Sequence, residues 1–412
     1  MLDDSLLDDP AALQRADRDH ALLALAGAGA RIRTALRQAR AAGLAELRPD
    51  GRPRGILVAG HGSALTAGQA LAALAGTGTL VQPLPPVDAL SAALFSDGLS
   101  WQLPGWAGPL DLVVLASADG TETGLISLAE QAYARGCAIA VIAPEGRPLA
   151  EAALQVRGLP LPYVPSATAE DEAEQPAGAA EPDLPSEDFG AFWAHLTPLL
   201  ALADRIGVLA APARELEATA DLLDELAVRH RPDAAAYRNP AKDLAAQLAG
   251  TVPLLWSEGP VAAVAAERFT AMLADRAGRP AVAGQLPEVL SAHRGMITGR
   301  LGAGADAGDF FRDRVDEPDP LAVQVLLLRH TPPEEGTADG GAEGTGNPAE
   351  PPSAPEPGPA TPTVRRARRL AADHEVRLTE LAGTRTLPLH ALAELIALTD
   401  FAAAYLGLAE QH

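Results

Sequence analysis

The sequence predicts an α/β protein built from two doubly wound parallel sheets, and three observations lead to this prediction. Continuous apolar runs, which suit strands buried on both faces of a parallel sheet, alternate with helical patterns. The alternation occurs twice along the 412 residues, once in each half of the chain. Hydrophobic residues make up 48% of the chain but aromatic residues only 4%, so the cores must consist mainly of Ala, Leu and Val.

The first half carries the apolar runs of one predicted sheet. Its three continuous runs are 54–60, 111–117 and 137–144, and its two weaker ones are 79–85 and 159–165. Helical patterns occupy 62–77, 121–135 and a long leading segment at about 18–47. Because strands and helices alternate, ligands are expected outside the carboxyl ends of the strands.

The second half repeats this plan. Its apolar runs are 252–259, 280–288 and 321–330, and its helical patterns are 260–277 and 306–315. We interpret the two similar halves as an internal structural duplication, although no repeat is visible residue by residue. A further apolar stretch, at 387–409, carries His390, Glu394 and Asp400, so it is predicted to be a buried or interfacial helix rather than a membrane span.

Two acidic stretches divide the chain. Residues 169–188 hold eight acidic side chains and no basic one, and residues 331–363 hold six acidic side chains and nine prolines. Both lack apolar periodicity and carry too little hydrophobic area to offset the entropy cost of ordering. The sequence therefore predicts an N-terminal α/β domain at 1–165, a linker at 166–188, and a C-terminal α/β domain at 189–412 with a disordered insertion at 331–363.

The formal net charge of −22 argues against a nucleic-acid partner, because backbone phosphates require a basic surface. The two acidic stretches contribute 14 of these charges, which leaves −8, an ordinary value, for the rest of the chain. The basic run at 365–369 fits a polyanion contact or, in our preferred interpretation, a solvated helix start. Cys137 is the single cysteine, and the first ten residues are acidic, unlike a secretory leader. We therefore expect a cytoplasmic protein with no membrane partner.

The glycine-rich turn after the first predicted strand, at 60–65, is the first candidate ligand site. It lacks the third glycine of a dinucleotide fingerprint, the Gly-Lys-Ser/Thr of a P-loop, and the flanking glycines of a nucleophile elbow. Two interpretations remain: a cradle in which backbone N–H groups and the Ser63 hydroxyl hold a small phosphate, or a tight turn with a helix-capping serine. The nine histidines form no metal-binding pair, so no metal site is predicted.

Several motifs carry a resemblance to a known family. A hydroxyl-rich turn at 116–123 follows the third predicted strand of the first sheet, at 111–117. The other matching segments are Asn239–Ala245, Trp256–Gly259, Arg268–Phe269, Leu286–Glu288 with His293, and Asp400–Phe401 with Tyr405–Leu406. In order and spacing they resemble the sugar isomerase (SIS) superfamily and, more closely, the bifunctional phosphoglucose/phosphomannose isomerase family. The resemblance spans about residues 20–410 and implies two flavodoxin-like SIS subdomains.

Members of this family interconvert an aldose 6-phosphate with fructose 6-phosphate through a cis-enediol, and they need no metal or organic cofactor. The resemblance therefore implies that this chain isomerises glucose 6-phosphate and/or mannose 6-phosphate. It assigns Gly62, Ser63 and Thr121 to the substrate phosphate. It assigns Asp275 to the carboxylate base and His293 to ring opening. His293 is expected to act in the site of a neighbouring subunit, so the resemblance also implies a homodimer.

The chain departs from the family pattern at several positions. Ala116 and Ala118 stand where the family has two phosphate-loop serines, and Asp275 stands where it has a glutamate that is one methylene longer. An arginine and a C-terminal lysine of the family have no counterpart, and Lys242 is the only lysine in the sequence. These losses motivate an alternative, namely a non-catalytic SIS protein that binds a phosphosugar and acts as a regulator or assembly partner.

Overall fold

The computed structural model describes residues 4–49, 51–87, 99–165, 187–299, 322–331 and 360–410. The chain divides into two compact units, residues 3–242 and 243–411, and each contains one parallel sheet. The predicted fold class, α/β with two doubly wound parallel sheets, is confirmed. Most of the predicted linker and insertion, at 166–186 and 332–359, lies outside the described residues, and so does the predicted helix at 306–315.

The first unit contains five parallel strands in the order β2-β1-β3-β4-β5. The strands are β1 (Gly55–Ala59), β2 (Leu80–Leu84), β3 (Asp111–Ala116), β4 (Ala138–Ala143) and β5 (Leu159–Pro162). β1 and β3 are buried along their whole length, as their continuous apolar sequences predict. The strand order reverses between β1 and β3, so the crevice at the carboxyl ends of these two strands is the expected ligand position.

Helices cover this sheet. The leading segment forms short helices and one longer helix, which ends in a π-helical turn (Arg40–Leu44). The helices are α1 (Asp4–Leu7), α2 (Pro10–Ala16), α3 (Ala21–Ala26), α4 (Ala28–Ala39), α5 (Gly62–Ala75), α6 (Thr123–Ala134), α7 (Pro148–Gln155), α8 (Ala191–Arg205), α9 (Ala213–Arg229) and, across the boundary of the two units, α10 (Pro240–Leu248). Leu125 and Leu128 of α6 pack with Val113 of β3 in a fully buried core cluster.

The second unit contains four parallel strands in the order β7-β6-β8-β9. Its elements are β6 (Thr251–Glu258), α11 (Pro260–Ala277), β7 (Val282–Gln285), α12 (Val289–Ala292), α13 (Arg294–Thr298), β8 (Ala322–His330), α14 (Pro362–Asp373), β9 (Leu378–Gly383) and α15 (Pro388–Glu410). This order repeats that of the first four strands of the first sheet. The duplication inferred from the sequence is therefore present in the topology. Of the strands described here, β9 is the one that the sequence analysis did not predict.

Residues 189–242 belong to the first unit, whereas the sequence predicts that the C-terminal domain begins at 189. The reason is the apolar character of α8, which is buried along most of its length and packs against α4 and α5. α9 packs against α4 in the same unit. The division of the chain therefore falls inside α10, between Lys242 and Asp243, and not at the acidic stretch.

α15 is, in the part of the chain that the structure describes, one helix long and apolar enough to cross a membrane. Within its most apolar 18-residue window, 89% of the residues are buried in the protein, and the helix packs against α11 and β9. A core helix satisfies the same criteria of length and apolarity. The position of α15 thus agrees with the buried helix that the sequence predicts.

Candidate functional site

The turn after β1 brings the first two predicted site residues to the carboxyl edge of the first sheet. Gly60 permits a close approach to β3, since a Cβ atom there would lie 2.7 Å from the carbonyl oxygen of Ala116. Gly62 has a φ of +53°, which favours glycine. Gly62 and Ser63 form the start of α5, where backbone N–H groups have no partner inside the helix and the helix dipole favours an anion.

A carboxylate of the chain itself is bound at this helix start. Glu187 Oε1 accepts a hydrogen bond from the backbone N–H of Ser63 at 2.7 Å, and Glu187 Oε2 accepts one from the Ser63 hydroxyl at 2.8 Å. A Cβ atom at position 62 would lie 2.7 Å from Oε1, so any side chain there would force the carboxylate to shift. The start of α5 therefore holds a pair of anionic oxygens through one backbone donor and one hydroxyl donor.

The turn after β3 is organised around Ser117 and Glu122. The buried Ser117 hydroxyl accepts hydrogen bonds from the backbone N–H groups of Asp119 and Gly120, and it donates to the Glu122 carboxylate, whose oxygens lie 2.7 and 2.6 Å away. His61 Nε2 lies 3.1 Å from Glu122 Oε1, so this pair bridges the two turns across the crevice. Burial would raise the pKa of Glu122, but hydrogen bonds from His61 and Ser117 outweigh burial and hold it below its usual value.

Thr121 lies on the second of these turns, and its hydroxyl contacts Asp119 Oδ2. The other oxygen of Asp119 pairs with Arg147 at 2.9 Å. The structure thus places Gly62, Ser63 and Thr121 at one edge of the first sheet, on two turns joined by His61 and Glu122. It does not direct the two hydroxyls to a common point, because Ser63 binds Glu187 and Thr121 binds Asp119.

Sequence reasoning missed three residues of this edge: His61, Glu122 and Glu187. Two of them had a usable signal, since His61 stands inside the glycine-rich turn and Glu122 follows Thr121 directly. Glu187 had none, because it is 124 residues from Ser63 and belongs to a stretch that composition alone marks as linker.

In the second unit, His293 lies at the carboxyl edge, just after β7 and the short helix α12. Its side chain is buried, and its Nδ1 accepts a hydrogen bond of 3.0 Å from Trp256 Nε1. An indole N–H can only donate, so the neutral imidazole carries its hydrogen at Nε2. Burial lowers the pKa of His293, which also favours the neutral form. His293 is therefore fixed as a hydrogen-bond donor through Nε2.

Asp275 lies near the other end of the same unit. It is fifteen residues beyond Pro260, where α11 leaves the carboxyl edge of the sheet. With a rise of about 1.5 Å per residue, that places it roughly 22 Å from this edge along the helix. Its side chain is 53% exposed and pairs with Arg276 at 2.7 Å. Within one subunit, the structure does not bring Asp275 and His293 together.

The reversal point of the second sheet, between β6 and β8, is occupied by charged side chains. Arg329, only 2% exposed, pairs with Glu258 at 2.7 Å and with Glu380 at 3.3 Å. Arg368 on α14 pairs with the same Glu380. Because these charges neutralise one another, we infer no anion site at this edge. Among the described residues, no three His, Cys, Asp or Glu side chains are grouped so that they could hold a metal ion.

Two buried histidines of the first unit predict a loss of stability in mild acid. Burial lowers the pKa of His195 to about 3 and that of His230 to about 4, whereas an unfolded histidine titrates near ~6.5. Above that pH both states are neutral, but below it only the unfolded chain takes up protons, so stability falls. Between pH 7 and pH 5, each histidine should reduce the free energy of unfolding by about 2 kcal/mol.

Urea unfolding at the two pH values measures this effect. The variant His195→Phe should lose about 2 kcal/mol less than the wild type between pH 7 and pH 5. A control variant at a less buried histidine, His374→Phe, should keep the wild-type loss. If the free energy of unfolding fell equally in the wild type and in His195→Phe, the lowered pKa of His195 would be contradicted.

Comparison with known proteins supports the fold and part of the family resemblance. Residues 237–332 match the bacterial phospho-glucose isomerase C-terminal SIS domain. Among curated protein sequences, none matches the chain.

Three solved structures resemble the chain over nearly its whole length. A protein of Thermus thermophilus described only as hypothetical gives a TM-score of 0.59 at 15% identity, with 98% of this chain and 89% of that chain covered. A candidate phosphosugar isomerase from Clostridium difficile gives 0.55 at 11% identity, with 94% and 91% covered. The C-terminal domain of glucosamine-fructose-6-phosphate aminotransferase from Francisella tularensis gives 0.50 at 12% identity, with 94% and 97% covered.

At these identities the solved structures establish the fold alone. The similarity to a family comes from the match at 237–332, a segment that contains Asp275 and His293. The resemblance to the SIS superfamily, and within it to the phosphoglucose isomerase family, is thereby confirmed for residues 237–332.

Proposed function

We propose that the protein is a phosphosugar aldose–ketose isomerase that converts glucose 6-phosphate and/or mannose 6-phosphate into fructose 6-phosphate. The observation that carries this proposal is the match of residues 237–332 to a phosphoglucose isomerase domain, because this segment contains both Asp275 and His293. The start of α5 supports the proposal from the other unit, since its two donors on Ser63 already hold an anionic group. No metal or organic cofactor enters the proposed reaction.

The proposed reaction proceeds in two stages. In ring opening, the bond between C1 and the ring oxygen breaks, the ring oxygen takes a proton along its hydrogen bond from His293 Nε2, and the C1 hydroxyl releases its proton to solvent, which leaves a carbonyl at C1 and, once His293 is reprotonated from solvent, no net change in protons. In isomerisation, the Asp275 carboxylate removes the C2 proton, which the C1 carbonyl acidifies; the electron pair of the C2–H bond forms the C1–C2 double bond, and O1 takes a proton from solvent to complete the cis-enediol. Asp275 then returns the proton to C1 while the C2 hydroxyl releases its proton to solvent, which leaves the carbonyl at C2. In the reverse direction, addition of a proton to either face of C2 gives glucose or mannose 6-phosphate.

The separation of Asp275 and His293 within one subunit is compatible with this scheme. Residues that lie apart within one chain can meet across a two-fold dimer interface, because residue i of one subunit contacts residue j of the other. The proposal therefore includes the homodimer expected from the sequence, with His293 of one subunit in the site of the other, and a cytoplasmic location.

An assay that couples fructose 6-phosphate formation to a colour change, with glucose 6-phosphate and mannose 6-phosphate as substrates, tests the proposal. Wild-type turnover should exceed background, and Asp275→Asn should reduce kcat by at least about a hundredfold, because a carboxamide cannot accept the proton. The matched control is Asp373→Asn, at an exposed aspartate near the end of another helix, and it should retain wild-type kcat. Absence of turnover in the wild type would reject the isomerase.

Mixing two inactive variants tests the shared site. If Asp275 and His293 meet across the interface, a heterodimer of Asp275→Asn and His293→Asn subunits contains one intact site. A random mixture should then recover about a quarter of the wild-type activity. Recovery of none would place both residues in the same subunit's site.

The second candidate function is a non-catalytic phosphosugar-binding regulator or assembly protein. The exposure of Asp275 and its pairing with Arg276 favour it, as do Ala116 and Ala118 at the phosphate-loop positions. This candidate predicts no turnover together with a rise in Tm when fructose 6-phosphate is added.

A further inference from the structure

The carboxylate of Glu187 occupies the position at which the proposed substrate phosphate would bind. Its two oxygens take the backbone N–H and the hydroxyl of Ser63, at 2.7 and 2.8 Å. These are the donors that a phosphate at the start of α5 would need. We infer that Glu187 is a built-in competitor for the phosphate, and that it sets the affinity of this site for phosphosugars. This inference rests on the proposed function, which supplies the ligand.

The approach of Glu187 to the helix is as close as that of a bound anion. A Cβ atom on residue 62 would lie 2.7 Å from Glu187 Oε1, so a side chain there would force the carboxylate to shift. Gly62 also has a φ of +53°, a backbone conformation that favours glycine. The carboxylate therefore fills the space next to the backbone that a phosphate oxygen would enter.

The backbone next to Glu187 is anchored independently of this contact. Asp188 pairs with Arg31 at 2.8 Å, and both side chains are largely buried. Asp188 Oδ1 also accepts a hydrogen bond from the backbone N–H of Gly190 at 2.9 Å, one residue before α8 begins. Glu187 is thus held next to Ser63 at high local concentration by the contacts of its neighbour Asp188.

A phosphate and the Glu187 carboxylate exclude each other. Both are anionic, and the two donors of Ser63 cannot serve both groups at short distance. Ligand binding must therefore expel Glu187. The apparent Kd equals the intrinsic Kd of the open site divided by the fraction of molecules in which the site is open. If Glu187 occupies the site at least ~90% of the time, the apparent affinity falls by about tenfold or more.

Calorimetric titration of the full chain with fructose 6-phosphate, and separately with inorganic phosphate, tests the inference. Glu187→Ala should lower the Kd for both by about tenfold or more relative to the wild type. Glu187→Gln should lower it less, because the amide oxygen keeps one hydrogen bond while the charge is lost. Glu145→Ala is the matched control, since it removes an exposed carboxylate from the same edge of the sheet without contacting Ser63; its Kd should equal that of the wild type.

A further variant identifies where the ligand binds. Adding Ser63→Ala to Glu187→Ala should raise the Kd again, because it removes the hydroxyl donor. Thermal unfolding of each variant establishes that the fold is kept. If the wild type binds and Glu187→Ala binds with an equal or higher Kd, the inference is overturned and the proposed function stands. Absence of binding by both proteins would overturn the inference and the phosphate site together.

Discussion

Replacing Lys242 by methionine should lower the free energy of unfolding by about 3 kcal/mol or more. The ammonium group is fully buried, and its three N–H donors bond to the carbonyl oxygens of Leu7, Pro232 and Ala234 at 2.6, 2.6 and 2.8 Å. Methionine fills similar space but donates no hydrogen bond. Three carbonyl groups then lose their partner, of which that of Leu7 is buried and those of Pro232 and Ala234 are half-buried. A buried acceptor left unsatisfied costs about 1–3 kcal/mol.

Urea unfolding of the Lys242→Met variant, followed by far-UV circular dichroism, measures this loss. Arg214→Met is a matched control because it removes an exposed cation from α9, and it should change stability by less than about 0.5 kcal/mol. A second readout uses the fact that Lys242 is the only lysine in the sequence. Its amine should resist acylation in the folded protein and react after unfolding. A Lys242→Met variant as stable as the wild type would refute the structural role.

Replacing Arg268 by methionine should cost about 3–5 kcal/mol, because it leaves a buried carboxylate without its partner. Arg268 on α11 and Asp400 on α15 are nearly fully buried and form an ion pair. Arg268 Nε lies 3.1 and 3.0 Å from the two carboxylate oxygens of Asp400, and a terminal nitrogen of Arg268 lies 2.8 Å from one of these oxygens. Burial raises the pKa of Asp400, and the charge of Arg268 opposes this rise only in part. Removing the cation therefore removes the main compensation for a desolvated charge.

The double variant Arg268→Met/Asp400→Leu separates the loss of a partner from the loss of the pair. Apolar replacement of a whole buried ion pair is often neutral or stabilising, so the double variant should recover most of the stability that the single variant loses. Thermal and urea unfolding of the wild type, both single variants and the double variant give this comparison as a double-mutant cycle. A double variant less stable than Arg268→Met would show that the pair itself stabilises the packing of α11 on α15.

Most strands were predictable because buried parallel strands have continuous apolar sequences. β3 and β8 are such runs, and both are fully or almost fully buried. β9 has no such run: it is an edge strand, mostly half-buried, and it carries Glu380, whose charge is compensated by Arg329 and Arg368 from other elements. The partners of an edge strand are not visible in its own sequence. For the same reason, the assignment of α8 to the first unit required the tertiary structure.

The candidate site was only half predictable. The position of Gly62 and Ser63 at a helix start follows from a strand, a glycine turn and a helical pattern in succession. The Glu187 contact could not be predicted, because nothing local relates a glutamate in an acidic stretch to a serine 124 residues away. Lys242, by contrast, belongs to a motif that the family resemblance identified from the sequence. The structure gives it a structural role, since its ammonium group donates hydrogen bonds to three backbone carbonyl groups.

Solvent proton exchange tests the central claim, that the chain isomerises hexose 6-phosphates through a cis-enediol. Fructose 6-phosphate incubated with the protein in D2O should yield glucose 6-phosphate or mannose 6-phosphate with deuterium at C2, visible by NMR as the loss of the C2 proton signal. Exchange should be lost in the Asp275→Asn variant and kept in Asp373→Asn. The claim would be contradicted if the wild-type protein, at a concentration high enough to bind all of the fructose 6-phosphate, left that sugar unconverted and without deuterium.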